Sequence, residues 1–467
     1  MEQKNTKNRV RFAPSPTGWM HLGSVRAALF NKLYAVKNNG SFILRIEDTD
    51  ASRNVDPGAK KIQEDLAWLG LSFDEGPYFQ SERNELYQKY LEYLIQNNLV
   101  YRCFDTPEEL GRRRQLQLAR GIPPKYDRAC LALNEQEITE KLKNNAPFIW
   151  RLKMPAITIH LHEATRGEMA FDLTHFSDFA VTRQDGSCTF LFANFVDDVE
   201  MGITMVIRGE DHLSNSASQA ALYHACNKQL PTFFHLPLVC SADGKKLSKR
   251  DFGFSLSDLQ NAGYLPQAIN NYIALLGHSF PEEIMDLATL AQVIPFNEQS
   301  PKNSVRYDSQ KLRWINHAWI QRLSIKELTE RVVPFLTAVF PNAPFEKSQL
   351  AQLLEIIRPN LETLTDAVEL LGFVAKPPEN IPAALLIEYQ LKELTTLLKE
   401  LAEAPTIDAF RQALKTLPQK DQKKNFFVLV RLALTAKPHG IGIQELTNML
   451  PHDEMQRRIQ VLYNTKL

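Results

Sequence analysis

Three short segments of this 467-residue chain contain residue types that could bind a nucleotide and an amino acid. The first, 11–18, reads Arg-Phe-Ala-Pro-Ser-Pro-Thr-Gly, and His21, Gly23 and Ser24 follow it. The segment follows a predicted strand and opens a predicted helix, so its amides face a helix N-terminus, where phosphate groups bind well. Gly23 would let a nucleotide approach the backbone closely. Taken alone, the segment fits an ordinary strand–turn–helix corner equally well.

The second segment, 243–250, reads Asp-Gly-Lys-Lys-Leu-Ser-Lys-Arg and follows another predicted strand. Lys246, Ser248 and Lys249 belong to this short cationic loop, and its glycine permits movement. Such a loop can close on a triphosphate and neutralise charge as pyrophosphate leaves. Taken alone, a basic surface turn is the simpler interpretation.

The third segment, 45–50, reads Arg-Ile-Glu-Asp-Thr-Asp, and Arg53 follows it. It lies at the carboxyl end of the second predicted strand, the end at which parallel sheets bind ligands. Acidic side chains there could hold a substrate ammonium group, and an arginine could hold a carboxylate. The alternative is a cluster of acids that caps a helix.

The elements that must position these segments alternate between strand and helix over the first hundred residues. Strands are predicted at 10–13 and 42–46, a helix is predicted at 24–37, and Asp56 and Pro57 read as the N-cap and first turn of a second helix. This order predicts a parallel sheet with crossover helices.

The predicted secondary structure changes twice after residue 100. A Thr-Pro-Glu-Glu capping box at 106–109 opens a polar helix, and the short strands that follow predict an α+β insertion. From about residue 320 onwards, helical periodicity dominates. The other predicted elements are strands at 148–154, 157–161, 179–183, 203–207 and 234–239, a strand at 189–193 that completes a hairpin with 179–183, and a helix at 214–225.

Composition excludes some classes of protein but does not identify one. The chain has 54 basic and 54 acidic residues, so any surface for nucleic acid must be local. None of the five cysteines forms a Cys-x-x-Cys pair, which argues against a zinc ribbon or a disulfide framework. No apolar run approaches the roughly 20 residues that span a bilayer, and 1–8 lacks the apolar core of a signal peptide, so a cytoplasmic location is expected.

The conjunction of these segments resembles the class I aminoacyl-tRNA synthetases. Their His-x-Gly-His and Lys-Met-Ser-Lys-Ser signatures match His-Leu-Gly-Ser at 21–24 and Lys-Leu-Ser-Lys-Arg at 246–250. The runs Ala-Pro-Ser-Pro-Thr-Gly, Arg-Ile-Glu-Asp-Thr-Asp, Val-Ile-Arg-Gly-Glu-Asp-His at 206–212 and Leu-Arg-Trp-Ile-Asn at 312–316 resemble the bacterial glutamyl-tRNA synthetases. The resemblance covers essentially the whole chain.

The resemblance implies an α/β fold with a Rossmann-type parallel-sheet catalytic domain, an α+β insertion and an all-helical C-terminal anticodon-binding region. The implied domains are a catalytic domain in two halves, an insertion that binds the acceptor end of tRNA, a stem-contact domain and the helical region. Their expected bounds are 1–100 with 195–250, 101–194, 251–320 and 321–467.

Carried over by matching position, the resemblance also implies site residues. Those expected to bind glutamate are Arg11, Ser15, Glu47, Asn194 and Arg208. Those expected to bind ATP are His21, Gly23, Asp211, His212, Lys246, Ser248 and Lys249, among which His21, Lys246 and Lys249 are the expected catalytic residues.

The activity that the resemblance implies is ATP-dependent activation of L-glutamate, with Mg²⁺ on the leaving pyrophosphate, and transfer to tRNA(Glu) by a monomer. A catalytically silent tRNA-binding paralogue is the alternative. Intact His21, Lys246, Lys249, Glu47 and Arg208 argue against it, because a protein without chemistry does not need all five.

The sequence departs from the family pattern at three places. Many bacterial members bind zinc through a Cys-x-Cys and a Cys-x-His pair, but Cys103-Phe-Asp and Cys130-Leu-Ala stand here, so no structural zinc is expected. Phe190 stands where some relatives have a pocket tyrosine. Asn360 replaces a second basic residue that reads the first anticodon base, which raises acceptance of tRNA(Gln) as a further alternative.

Overall fold

The structure is a computed structural model, and it describes residues 7–16, 18–50, 54–55, 59–241, 243–245, 247, 255–341, 346–376, 381 and 383–464. The chain divides into two compact units. The first comprises Met1–Leu259 and Pro266–Ser309, and the second comprises Gln260–Leu265 and Gln310–Leu467.

The strands lie almost entirely in the first half of the chain, and the helices occur throughout. The strands are β1 Arg9–Phe12, β2 Ser41–Ile46, β3 Glu75–Phe79, β4 Val100–Cys103, β5 Ile149–Leu152, β6 Thr158–Glu163, β7 Gly167–Asp172, β8 Met205–Gly209, β9 Thr232–Leu236, β10 Val239–Cys240 and β11 Val305–Arg306. The helices before residue 300 are α1 Leu22–Lys37, α2 Lys60–Trp68, α3 Asn84–Gln96, α4 Pro107–Ala119, α5 Glu135–Lys143, α6 Phe190–Glu200, α7 Leu213–Ala225, α8 Leu256–Asn261, α9 Pro266–Leu275 and α10 Leu287–Val293.

Two groups of strands form the sheet that carries the predicted site residues. One has the order β1-β2-β3 and is parallel throughout. The other has the order β7-β6-β9-β8, in which β8 and β6 both run parallel to β9. The amide of Thr204, just before β8, donates to the carbonyl of Arg9 at 2.9 Å, so β8 begins beside β1. The carboxyl ends of β1, β2 and β8 therefore share one edge.

The parallel sheet and its crossover helices confirm the predicted α/β class. All six residues of β2 are buried, which explains why its sequence, Ser-Phe-Ile-Leu-Arg-Ile, is a nearly continuous apolar run. A strand covered by helices on both faces has no solvent side that would favour polar residues. Helix α1 begins at Leu22, as the strand–turn–helix pattern predicts.

One predicted strand is wrong. Residues 189–193 do not complete a hairpin, because α6 begins at Phe190 with Thr189 as its N-cap. The tight turn is present, since the amide of Arg183 donates to the Ser187 carbonyl at 2.7 Å. The apolar run Phe-Leu-Phe-Ala at 190–193 predicts a strand, but helix α6 contains it and buries Phe192 and Ala193. Short apolar runs do not distinguish a strand from a buried helix.

Other boundaries differ by smaller amounts. The predicted strand at 179–183 reduces to isolated bridges, Arg151 with Ala180 and Thr182 with Cys188. Strand β7 was not predicted, and it extends the sheet by pairing with β6. Helix α2 begins at Lys60, and the expected cap residues Asp56 and Pro57 lie outside the described residues. The capping box of α4 is as predicted, with Thr106 and Glu109 bonding reciprocally.

The second unit is helical in the part that the structure describes, which confirms the predicted helical C-terminal region. Asn316 holds its short first segment in place, because its side chain accepts from the Leu265 amide at 2.8 Å and donates to the Glu362 carbonyl at 2.6 Å. No described helix is long and apolar enough to cross a membrane. The helices of this region are α11 Ser309–Arg322, α12 Ile325–Val339, α13 Lys347–Ile357, α14 Asp366–Ala375, α15 Ala383–Glu388, α16 Leu391–Glu403, α17 Ile407–Thr416, α18 Lys420–Thr435, α19 Ile443–Met449 and α20 His452–Tyr463.

Candidate active site

A cleft of about 570 Å³ opens at the edge of the sheet where β1, β2 and β8 end. It is bordered by the N-terminus of α1 and by α6. Nine of the predicted site residues line it, namely Arg11, Ser15, His21, Gly23, Glu47, Asn194, Arg208, Asp211 and His212. Lys246, Ser248 and Lys249 lie outside the described residues, and Leu247 between them lines the cleft.

His21 is the N-cap of α1. Its Nδ1 accepts from the amides of Gly23 at 3.1 Å and Ser24 at 3.3 Å. The Ser24 hydroxyl accepts in turn from the His21 amide at 3.0 Å, which completes a capping box. An imidazole whose Nδ1 accepts carries its proton on Nε2 when neutral. The cap therefore prepares His21 to donate from Nε2, and it explains a serine in the fourth position of the motif.

Arg11 is anchored by Asp198, a residue of α6 that the sequence analysis did not single out. The Nε and Nη2 atoms of Arg11 lie 2.9 and 3.3 Å from the two carboxylate oxygens. Arg45 donates to the same carboxylate at 2.7 Å and to the Asn194 side chain at 2.7 Å. Burial alone would raise the pKa of Asp198, but Arg11 and Arg45 together hold it below its usual value.

The neighbouring Asp197 is a second anchor that the sequence analysis missed. It accepts from Arg83 Nε at 2.7 Å, from the Tyr87 hydroxyl at 2.9 Å and from Gln80 at 2.9 Å. Its side chain is fully buried. Two adjacent acids inside a largely apolar helix were the available signal, because buried carboxylates require partners. Together they fix α6 against the strands of the site.

Glu47 follows β2 and is almost fully buried in the cleft. Burial is the main reason why its pKa rises to about 7, although Arg45 and Asn194 act in the opposite direction. Its backbone amide donates to the Pro14 carbonyl at 2.9 Å, which ties the residue to the segment after β1. A carboxyl group held this way is suited to bind an ammonium group, whose charge would favour the ionised form.

Two arginines of the cleft lack an acidic partner among the described residues. Arg26 of α1 donates only to the backbone carbonyls of Pro237 and Leu276. The second is Arg208 on β8. It is 8% exposed, and its partners are neutral: Gln219 at 2.8 Å, Ser216 at 2.7 Å and His235 at 3.5 Å. No carboxylate of a described residue lies within ion-pair distance of it. Burial, followed by the charge of Arg11, lowers its pKa to about 9.

Among the described residues, three hydrogen bonds engage the guanidinium of Arg208 and leave two of its N–H groups for a ligand. Five N–H donors are available, and its three hydrogen bonds use one each on Nε, Nη1 and Nη2. One N–H therefore remains on each terminal nitrogen, the arrangement that binds a carboxylate through two parallel hydrogen bonds.

The remaining cleft residues shape its rim. The ring of Phe190 lies 5.7 Å from that of His212, between their centroids. Burial and the nearby Arg208 lower the pKa of His212, which favours a neutral imidazole. A Cβ at position 209 would lie 2.5 Å from the Asp211 carboxylate, so a larger residue there would displace that side chain.

A separate polar cluster lies in the insertion. The ligand atoms of Cys103, Asp105 and Cys130 lie within 4.8 Å of one another. The Tyr126 hydroxyl donates to Asp105 at 2.5 Å and accepts from the Cys130 amide at 3.2 Å. Arg113 pairs with both oxygens of Asp105, at 3.0 and 3.2 Å.

This cluster does not fit a closed structural zinc site. Such sites use four ligands, usually thiolates and imidazoles. Here the two thiols and one carboxylate provide three, and the carboxylate already has a guanidinium partner in Arg113. The phenol of Tyr126 lies among them as a hydrogen-bonded group.

Models of known families match nearly the whole chain. One, described as the catalytic domain of class I tRNA synthetases (E and Q), matches residues 7–314. A second, described as an anticodon binding domain, matches residues 327–463.

Full-length relatives and solved structures are also similar. "Glutamate--tRNA ligase 2" of Thermoanaerobacter pseudethanolicus is 36% identical over 97% of each chain. "Glutamate--tRNA ligase" of Aquifex aeolicus is 36% identical over 97% of this chain and 98% of its own length. A crystal structure of a glutamate tRNA ligase from Elizabethkingia meningosepticum in complex with its amino acid has a TM-score of 0.85 at 31% identity, covering 98% of this chain and 99% of that chain.

Proposed function

Because this chain belongs to the class I tRNA synthetases of the glutamate and glutamine group, we propose that its cleft activates L-glutamate with ATP and charges tRNA(Glu). The observation that carries this proposal is Arg208, a buried cation whose described partners are all neutral. Burying an unpaired charge is costly unless a ligand neutralises it. The side-chain carboxylate of glutamate fits the two N–H groups that Arg208 retains.

The same cleft offers partners for the other end of the amino acid. Glu47 takes the substrate ammonium group, while Arg11 and Ser15 line the pocket and Asn194 holds Arg45 in place. Since Asp198 already pairs with Arg11, that guanidinium contributes less net charge than Arg208 does. We therefore assign the side-chain carboxylate to Arg208.

Glutamine is discriminated against at this arginine. Its amide would present an N–H group to one of the two guanidinium donors and would leave the buried charge unneutralised. Truncating or mismatching one partner of a buried charge pair costs about 2–5 kcal/mol. A difference of that size excludes glutamine without a second, editing site.

The nucleotide is bound at the N-terminus of α1. His21 donates from Nε2 to a phosphate oxygen, Gly23 allows close approach, and Asp211 and His212 border the nucleotide. The assignment of Lys246, Ser248 and Lys249 to the phosphates rests on the sequence resemblance. Mg²⁺ bound to the phosphates would neutralise the leaving pyrophosphate.

The reaction then proceeds in two displacements. The α-carboxylate of glutamate attacks the α-phosphorus in line, forming glutamyl-adenylate as pyrophosphate leaves. A ribose hydroxyl of the last tRNA nucleotide next attacks the carbonyl carbon, and AMP leaves. Positioning and charge stabilisation by the residues of the cleft account for most of the expected acceleration.

Acceptance of tRNA(Gln) is the second candidate. Asn360 is exposed at the end of the short helix Arg358–Asn360, beside an arginine that pairs with Glu355 at 3.2 Å. A neutral side chain at this position reduces the charge available to test an anticodon base.

We also propose that the enzyme acts as a monomer and needs no structural zinc.

The test is charging of purified tRNA(Glu) and tRNA(Gln), in separate reactions, with labelled glutamate and ATP. Ester on tRNA(Glu) alone supports a discriminating enzyme. Ester on both tRNAs would support the proposed reaction together with acceptance of tRNA(Gln). Charging of the two tRNAs by the Asn360→Arg variant would then test the role of Asn360. Ester on neither would refute the proposal and favour a silent tRNA-binding paralogue.

A further inference from the structure

A buried histidine and a buried glutamate lie directly behind Arg208. His235 on β9 is fully buried, and its Nε2 lies 3.5 Å from Arg208 Nε and 3.1 Å from the Ser216 hydroxyl. Its other ring nitrogen, Nδ1, lies 3.4 Å from the carboxylate of Glu163, which is also fully buried; this is an electrostatic contact without the alignment of a hydrogen bond. The order is therefore carboxylate, imidazole, guanidinium. Neither His235 nor Glu163 lines the cleft.

The hydrogen-bonding chemistry of Arg208 fixes the proton on His235. A guanidinium can only donate, so His235 Nε2 must accept. The Ser216 hydroxyl, which accepts from Arg208 Nη2 at 2.7 Å, can then donate to the same nitrogen. A neutral imidazole that accepts at Nε2 carries its proton on Nδ1, the atom that faces Glu163. A charged imidazolium would instead place a second cation against Arg208.

Glu163 is itself held firmly. One of its oxygens accepts from the Thr165 amide at 2.9 Å, the Thr165 hydroxyl at 2.7 Å and the Arg166 amide at 2.8 Å. The other accepts from the His235 amide at 2.8 Å. Burial would raise the pKa of Glu163, but hydrogen bonds from His235 and Thr165 lower it to about 2. The carboxylate therefore remains ionised and can orient the imidazole.

We propose that Glu163 and His235 are positioning residues for Arg208: the carboxylate fixes the imidazole tautomer, and the imidazole orients the guanidinium whose remaining N–H groups bind the substrate carboxylate. Neither residue touches the substrate. The inference rests on the proposed function, because it assumes that Arg208 binds glutamate. This role also accounts for the burial of Glu163 and His235, two polar residues that take no direct part in the reaction.

The position of Glu163 in the fold supports this arrangement. It ends β6, whose hairpin with β7 comes from the insertion, and it pairs in register with Phe233 of β9. The Phe233 ring lies nearly parallel to that of His235, at an interplanar angle of 4°. The guanidinium carbon of Arg208 lies 5.5 Å from the centroid of the Phe233 ring. The hairpin thus pairs with the strand that carries His235, and Phe233 of that strand packs beside the imidazole ring.

Two substitutions at His235 separate positioning from packing. Gln can place a side-chain oxygen near the position of Nε2 and accept from Arg208, whereas Leu fills space without an acceptor. We expect H235L to raise KM for glutamate about tenfold, the effect of one lost buried hydrogen bond, with KM for ATP unchanged. We expect H235Q to recover most of this loss. His160→Leu, at an exposed position on β6, is the matched control.

The tautomer of His235 in the wild-type protein gives a second test of the proposal. This test remains valid even if a His235 variant fails to fold. In ¹⁵N-histidine spectra, with the signal assigned through H235Q, we expect His235 to be neutral and protonated at Nδ1. Protonation at Nε2 would overturn the proposal, as would equal KM changes for glutamate and ATP, or unchanged KM for glutamate in H235L. If the wild-type protein does not charge tRNA with glutamate, the proposed function fails, whereas the tautomer result still tests the geometry.

Discussion

The active-site cleft contains buried charged groups and the insertion cluster contains half-buried ones, and the two regions pair these groups differently. In the cleft, Arg208 has three neutral partners and no described carboxylate at ion-pair distance. In the insertion, Asp105 is bound on both oxygens by Arg113 and also accepts from Tyr126. Arg208 therefore has no acidic partner among the described residues, whereas Asp105 and Arg113 of the insertion pair with each other.

This difference indicates where a ligand belongs. A buried group that remains unpaired stabilises the fold poorly, so its retention points to a ligand that completes it. A carboxylate that is already paired with a guanidinium would have to give up that ion pair before it could bind a metal ion. We therefore expect a bound carboxylate in the cleft and no structural metal in the insertion.

The largest expected effect is removal of the unpaired cation. Arg208→Gln should lower kcat/KM for glutamate by about 30-fold to several thousand-fold, because truncating one partner of a buried charge pair costs about 2–5 kcal/mol. Steady-state charging kinetics measure this. Arg113→Gln removes an arginine of the paired cluster, and it should leave KM for glutamate unchanged. Equal losses in the two variants would remove the distinction between the clusters.

Glu47→Gln should have a similar but smaller effect, on the ammonium end of the substrate. We expect kcat/KM for glutamate to fall about 30- to 100-fold, since a hydrogen bond between charged partners is lost. The melting temperature should not fall, because burial disfavours the ionised form of Glu47 and the amide is not charged. A stability loss as large as the activity loss would instead show that Glu47 is structural.

The raised pKa of Glu47 predicts a pH dependence for the same interaction. Below a pKa of about 7, the carboxyl of the empty site is mostly protonated, and an ammonium group binds the ionised form. Glutamate binding must then release a proton, so KM for glutamate should rise about tenfold between pH 8 and pH 6. The Glu47→Gln variant should lose this dependence. A KM that is flat in the wild type over this range would contradict the role given to Glu47.

The smallest expected effect concerns zinc. Elemental analysis should find no stoichiometric zinc, and a chelator should leave the melting temperature unchanged, because Arg113 and Tyr126 already bind the polar atoms of this cluster. One zinc ion per chain would show that the phenol or another group completes the site. It would also show that internal pairing does not predict whether a buried cluster binds a ligand.

The sequence predicted the cleft better than the surroundings that support it. Arg11, His21, Glu47 and Arg208 belong to contiguous motifs, so their resemblance to a family could be recognised directly. Asp198 and Glu163 act through partners that are 187 and 72 residues away, and spacing along the chain does not predict such contacts. Helix α6 was partly interpreted as a strand because its apolar residues are buried on several sides.

The most direct test of the account is a crystal structure of this protein with L-glutamate bound. We predict that the two oxygens of the side-chain carboxylate lie about 3 Å from the two terminal nitrogens of Arg208. Gln219, Ser216 and His235 should keep their present contacts with the guanidinium. A glutamate bound through other residues, with Arg208 contacting only those three neutral side chains, would contradict the account.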